Sequence, residues 1–115
     1  MESIKQGDVV WVNFDPTIGA EVRKIRPAVV VSNNINNQHS PIISIAPITS
    51  NVSRVYSFEV GLPAGTANLP EPSKIMINQT RAIDKARILQ PIGCLPDSLL
   101  ERVKNALKLH YDLCQ

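Results

Sequence analysis

At 115 residues the chain has room for one compact domain with a modest core, and its formal charge of +2 marks it as neither strongly basic nor acidic. No apolar run approaches the roughly 20 residues of a membrane span, and residues 1–7 lack the apolar centre of a secretory leader, so the expected location is the cytoplasm. Cys94 and Cys114 stand far apart without a C-x-x-C or a histidine pair, which argues against a disulfide scaffold or a zinc site and for free thiols.

Residues 8–14 alternate loosely, with Val9, Trp11 and Asn13 on one side and Val10, Val12 and Phe14 on the other. Apolar groups on both sides predict a strand covered on both faces, or one curling in a small barrel. Trp11, the single tryptophan, reads as a core or rim anchor in preference to a base-stacking platform. The following loop is longer than the hairpin norm of about two to five residues. It carries Glu21, Arg23, Lys24 and Arg26. An acid and three cations held between two buried strands suit work on a phosphodiester; a solvated turn with surface charges explains them equally well.

Arg26 opens a second strand over residues 26–32. Pro27 tolerates only a position without a ladder N–H, so that strand begins at an edge, and it biases Arg26 toward an extended backbone. Residues 32–40 are polar and turn-rich, a loop or a single helical turn. A third strand is expected over residues 41–48, ended by Thr49, Ser50 and Asn51, and a fourth over residues 55–60, with Tyr56, Phe58 and Val60 on one face. Residues 61–72 are rich in glycine and proline and read as a loop. Residues 73–83 read as extended, continuous or bent at Asn78, and residues 87–92 as a last strand closed by Gly93.

From about Pro96 the period becomes helical. Leu100, Val103, Leu107 and His110 share a stripe, joined by Leu99, Ala106 and Leu113. Asp97 or Ser98 is placed to cap the start, and Ser98 with Glu101 has capping-box spacing. Some six short strands and one closing helix imply a small, strongly bent antiparallel barrel, a single domain over residues 1–115.

Charge is unevenly spread: residues 23–87 carry a net +5 and the two ends together −3, so the middle is the better candidate for an anionic partner. His39 falls in the polar loop and His110 in the helix stripe, where a core or interface role is favoured over catalysis. No cluster of His, Asp and Glu has metal-ligand spacing, which disfavours a metal-assisted nuclease; no cofactor is expected.

Three stretches together carry a family resemblance. The first runs Gly7-Asp8-Val9-Val10-Trp11-Val12-Asn13-Phe14-Asp15-Pro16-Thr17, then Gly19-Ala20-Glu21, then Arg26-Pro27-Ala28-Val29-Val30-Val31-Ser32. The second is Ala46-Pro47-Ile48-Thr49-Ser50, and the third Gln79-Thr80-Arg81-Ala82-Ile83-Asp84-Lys85-Ala86-Arg87. In this order they resemble the MazF/PemK (Kid) toxin ribonucleases. The resemblance implies an SH3-like barrel, a homodimer, an antitoxin partner of the MazE type, and binding of operator DNA through the antitoxin complex. It also implies metal-independent cleavage of single-stranded RNA, in which the 2′-OH attacks phosphorus to leave a 2′,3′-cyclic phosphate and a 5′-OH.

On that resemblance Arg26 and Thr49 match the catalytic positions. Arg26 would neutralise the phosphoryl oxygens through several N–H donors, and Thr49 would donate its hydroxyl to the same phosphate, unless it merely closes a strand-end turn. Glu21 would act as base at the 2′-OH or, the favoured reading, hold Arg26 in place. Arg23, Lys24, Arg54 and Lys74 would track the RNA backbone, with Ser32, Ser50 and Arg81 as further contacts. For Asp84 with Arg81 or Arg87 a structural ion pair is favoured. The chain departs from the family pattern at Val22, where Gln is common, at Met76 and Asn78, where some members use Arg and Asp in cleavage, and at Ala82, where Thr is frequent. The Arg/Asp version of the mechanism therefore does not carry over, and the Arg26/Thr49 version does. The competing readings are a non-catalytic toxin of the CcdB type that binds a topoisomerase, and an inert nucleic-acid-binding regulator.

Overall fold

The two β-branched runs flanking the charged loop form strands β1 (Asp8–Asn13) and β2 (Ile25–Val30) in a computed structural model that describes residues 3–21 and 24–113. They pair antiparallel, with Val9 opposite Val29 and Asn13 opposite Ile25. A short helix α1 (Asn34–His39) follows, started by Asn33, whose side chain accepts from the Asn36 N–H. Then come β3 (Ile42–Thr49), β4 (Val60–Leu62), β5 (Ser73–Ile75), β6 (Arg81–Asp84), β7 (Ile88–Cys94) and helix α2 (Asp97–His110). The sheet order is β4-β5-β3-β2-β1-β7, with β6 pairing β3 as well.

The central strands are covered on both faces, as their apolar alternation requires. Val9, Val29, Ala46 and Ile48 belong to one cluster; Val10, Val12, Phe14, Ala28, Val30, Ile43 and Ile45 belong to another. The first is closed by α2, which buries Val103 completely and packs Leu99, Leu100, Ala106 and Leu107 against it. Each such aliphatic side chain contributes about 1.5–3 kcal/mol when fully buried. The antiparallel, mostly-β class with one C-terminal helix matches the expectation, but the hydrogen-bonded ladder does not close on itself. On its far edge β3 changes partner, pairing β6 through residues 42–45 and β5 through Ile48 and Thr49. That switch bends the sheet.

Several local expectations are corrected. Residues 55–59 form no strand: Glu59 folds back, its N–H donating to the Tyr56 carbonyl at 2.9 Å and its carboxylate accepting from the Tyr56 N–H at 2.9 Å. A period of two makes a strand only where a neighbour takes up the backbone groups. The extended segment over residues 73–83 is interrupted by a 3₁₀ turn, Ile77–Gln79, so it bends at Asn78. Gly93 lies inside β7 rather than closing it. A Cβ there would stand 2.6 Å from the Ala67 carbonyl oxygen, so glycine permits the loop to lie against the strand.

Helix α2 has Pro96 as its N-cap with no side-chain cap. Neither Asp97 nor Ser98 plays that part, because both already lie within the helix. His110 is exposed rather than in the core, its ring edge-on to Tyr111 at 4.8 Å. Cys94 is a free, exposed thiol, and Cys114 lies outside the described residues. Among the described residues no helix is long and apolar enough to cross a membrane.

Candidate active site

Pro27 and Pro47 stand at the same end of neighbouring strands. Neither can donate to a ladder, and the β2–β3 pairing ends at Ala28 opposite Pro47. The same register, continued toward the strand ends, sets Arg26 across from Thr49. By strand alternation both leave the sheet on the face of Ala28 and Ile45. Arg26 is exposed and Thr49 half-buried. Thr49 Oγ1 accepts from the Asn51 N–H at 3.2 Å, the strand-end turn its residue type favours, and still has its own hydrogen to donate.

On that face lies a cleft of about 440 Å³ lined by Phe14, Ala20, Glu21, Pro47, Asn78, Gln79, Thr80 and Arg81. One wall is the charged loop, and its own backbone holds it in shape. The Phe14 N–H donates to the Lys24 carbonyl at 2.9 Å, and the Lys24 N–H to Asp15 Oδ1 at 2.9 Å. The Glu21 carboxylate accepts from the Ile18 N–H at 2.6 Å. From just before the neighbouring strand β7, Arg87 donates through Nη1 to the carbonyls of Asn13 at 3.1 Å and Asp15 at 2.6 Å, clasping the foot of the loop. The other wall carries Arg81, whose guanidinium lies 6.0 Å from the Phe14 ring centroid. A second cleft, of about 330 Å³, brings Arg26 and Ser50 together with Trp11, Pro27, Ile48 and Glu71. Trp11 is half-buried there.

The structure therefore gathers Arg26, Thr49, Ser50, Glu21 and Arg81 at one end of the sheet, with Lys24 exposed on the loop leading into β2. Arg54 is exposed on the segment after β3, while Arg23 lies outside the described residues. Two assignments change. Lys74 is 9% exposed, and its ammonium is engaged by Glu59 Oε1 at 2.9 Å and the Arg54 carbonyl at 2.8 Å, so it cannot track a phosphate chain. Ser32 lies at the other end of β2, where its hydroxyl donates to Asn37 Oδ1 and accepts from the Ser44 N–H at 3.1 Å.

The favoured ion pair of Asp84 is also replaced. Its carboxylate caps the next turn, accepting from the Ala86 N–H at 2.8 Å, while Arg87 serves the loop and Arg81 the cleft. Residues 78–80 were not singled out as site residues from sequence. The signal was present, because Gln79 and Thr80 belong to the third quoted stretch. Among the described residues no group of three or more His, Cys, Asp or Glu is placed to hold a metal ion.

The arrangement offers Glu21 and Arg81 in one cleft open to solvent and Arg26 with Ser50 in a second, at the end of the sheet where β3 reaches Thr49. Such a set neutralises and orients a phosphodiester. The comparisons with known proteins bear on the chain as a whole. The family described as the PemK-like, MazF-like toxin of type II toxin–antitoxin systems matches residues 5–111. The chain is 39% identical to endoribonuclease MazF9 of Mycobacterium tuberculosis over 96% of its own length and 98% of that protein's. Its fold superposes on MazF from Deinococcus radiodurans with a TM-score of 0.83 at 28% identity, covering 96% of this chain and 98% of that one. It also matches a MazE–MazF structure of the same organism, with a TM-score of 0.77 at 27% identity over 96% and 97% of the two chains.

Proposed function

The chain belongs to the family of PemK-like, MazF-like toxins of type II toxin–antitoxin systems, and from that premise we propose how its residues act. It is an endoribonuclease toxin, and a cognate antitoxin is its partner. Single-stranded RNA, whose unstacked bases expose their edges, crosses the open end of the sheet over Arg26 and Thr49. The 2′-OH attacks the adjacent phosphorus and gives up its proton, the bond to the 5′-oxygen breaks, and that oxygen leaves protonated. The products are a 2′,3′-cyclic phosphate and a 5′-OH. Arg26 stabilises the charge gathering on the phosphoryl oxygens, and Thr49 donates one further hydrogen bond to them. Glu21, whose carboxylate accepts from the Ile18 N–H on the cleft wall, holds Arg26 in place or takes the 2′-OH proton. Lys24, Ser50, Arg54 and Arg81 engage the strand on either side.

The observation that supports this reading is the β2–β3 register, which ends at Ala28 opposite Pro47 and, extended by two residues, would set Arg26 across from Thr49. The chain acts as a single domain in the cytoplasm, as a homodimer, and reaches operator DNA through its antitoxin complex. The chemistry uses the substrate's own nucleophile and needs no metal. Incubating the pure protein with a long RNA in EDTA tests it: cleavage persists, and an RNA with a 2′-deoxy group at the scissile nucleotide binds but stays intact. Activity that vanishes in EDTA and returns with Mg²⁺, or cutting of the deoxy substrate, overturns the mechanism.

A further inference from the structure

The segment between β3 and β4 has no strand pairing, yet a buried device orders it. Lys74 stands opposite Thr49 in the β3–β5 pairing. Its ammonium holds the Glu59 carboxylate at 2.9 Å and the Arg54 carbonyl at 2.8 Å, and Glu59 in turn holds the Tyr56 N–H at 2.9 Å. One ion pair thus fixes the backbone at Arg54 and Tyr56. The side chains it presents form a ladder of flat groups. The Arg54 guanidinium lies 4.7 Å from the Tyr56 ring centroid, and the Phe58 ring lies parallel to Tyr56, within 8° and 5.2 Å between centroids. Tyr56 and Phe58 remain 42% and 37% exposed, and Arg54 is exposed too. Rings recruited to close the core would be covered; these are held in register in contact with water.

We propose that this ladder is a base-stacking site: a nucleobase of the single-stranded RNA, close to the phosphate at Thr49, stacks on its exposed end while Arg54 attracts the neighbouring phosphate. The inference rests on the endoribonuclease reading, with Thr49 at the scissile phosphate. Three features support it. The Lys74 ammonium, opposite Thr49 in register, is 5.6 Å from the Tyr56 centroid, so ladder and catalytic end share one support. The groups are the ones on which bases stack, aromatic rings and a guanidinium plane. Phe58 offers a ring face for the base, and the Arg54 guanidinium on Tyr56 supplies the positive charge that a polyanion requires. Every base has a π-face, so the ladder supplies affinity and positioning rather than a base code.

The test uses the full chain and an oligoribonucleotide containing its mapped cleavage site, made uncleavable by a 2′-deoxy group there. Phe58→Leu keeps apolar bulk and removes the ring; Phe58→Tyr keeps the ring. Binding at fixed salt should weaken about 10-fold or more in Phe58→Leu and hold in Phe58→Tyr. Cleavage at saturating RNA should be unchanged in both, so the loss falls on KM. Replacing bases one at a time by abasic sites should reveal one position whose removal weakens wild type equally and adds nothing to Phe58→Leu. Wild-type cleavage together with undiminished affinity in Phe58→Leu overturns the ladder and leaves the enzyme reading standing. Loss of antitoxin binding with RNA binding intact overturns it as well, assigning the ladder to the antitoxin. Absence of RNA cleavage by wild type overturns both readings.

Discussion

The two ends of β3 use the same kinds of residue for opposite purposes. At the Ile42 end the strand is sealed by β6 and α1, and polar groups are satisfied from within. The Asn37 side-chain amide donates to the Ser32 carbonyl at 2.8 Å, and the Lys85 ammonium to the Asn37 carbonyl at 2.6 Å. At the Thr49 end two prolines halt the ladder with β2, and Arg26 and Ser50 face water. Serines and cations occur at both ends. Whether a backbone group lies within reach decides which of them hold the fold and which meet a ligand.

Lys74 tests that contrast most severely, since it lies at the open end but is engaged as if at the sealed one. Lys74→Met leaves Glu59 without its cation, at 6% side-chain exposure, and should destabilise by about 3–5 kcal/mol in denaturant unfolding. A loss below about 1 kcal/mol would mean that water already solvates the pair. Arg26→Ala should do the reverse. The loss of transition-state stabilisation is about 3 kcal/mol, a hundredfold or more in cleavage rate, while unfolding stability falls by about 0–1 kcal/mol. Thr49→Ala, removing one neutral donor, should slow cleavage less. Equal activity in wild type and Arg26→Ala would remove Arg26 from the mechanism.

Asn37→Ala probes the sealed end. It strands the Ser32 hydroxyl and carbonyl and should cost about 1–3 kcal/mol of stability, with kcat/KM per folded molecule unchanged. A drop in kcat/KM at full folding would show that the two ends are coupled. Lys24→Ala should give the smallest effect, a few-fold weaker RNA binding whose salt dependence is flatter by about one charge. An unchanged salt slope would take Lys24 off the RNA path.

Much was legible in the sequence because it depends on each segment's own pattern. Strands buried on both faces need apolar runs on both sides, so β1, β2 and the body of β3 showed themselves in Val9–Val12, Val29–Val30 and Ile43–Ile45. Helix α2 showed itself in the spacing of Leu100, Val103 and Leu107. Pro27 marked the start of a strand, which opens at Ile25, and the three quoted stretches pointed to the family.

Tertiary structure alone decided what a residue does with its polar atoms. Lys24 and Lys74 are the same residue type at the start of strands, yet one is exposed and the other is enclosed by Glu59, which reaches it from a different turn of the chain. Ser32 and Ser50 both follow strands, but only Ser32 meets an asparagine. Residues 55–60 alternate as a strand would, but no neighbouring strand pairs with residues 55–59, and the chain folds back through Tyr56 and Glu59 instead. Arg87 and Asp84 satisfy backbone groups rather than each other because those groups arrive first in space, from the loop foot and the next turn. Burial and partnership depend on segments distant along the chain, and a local pattern cannot encode which distant segment will come to rest beside it.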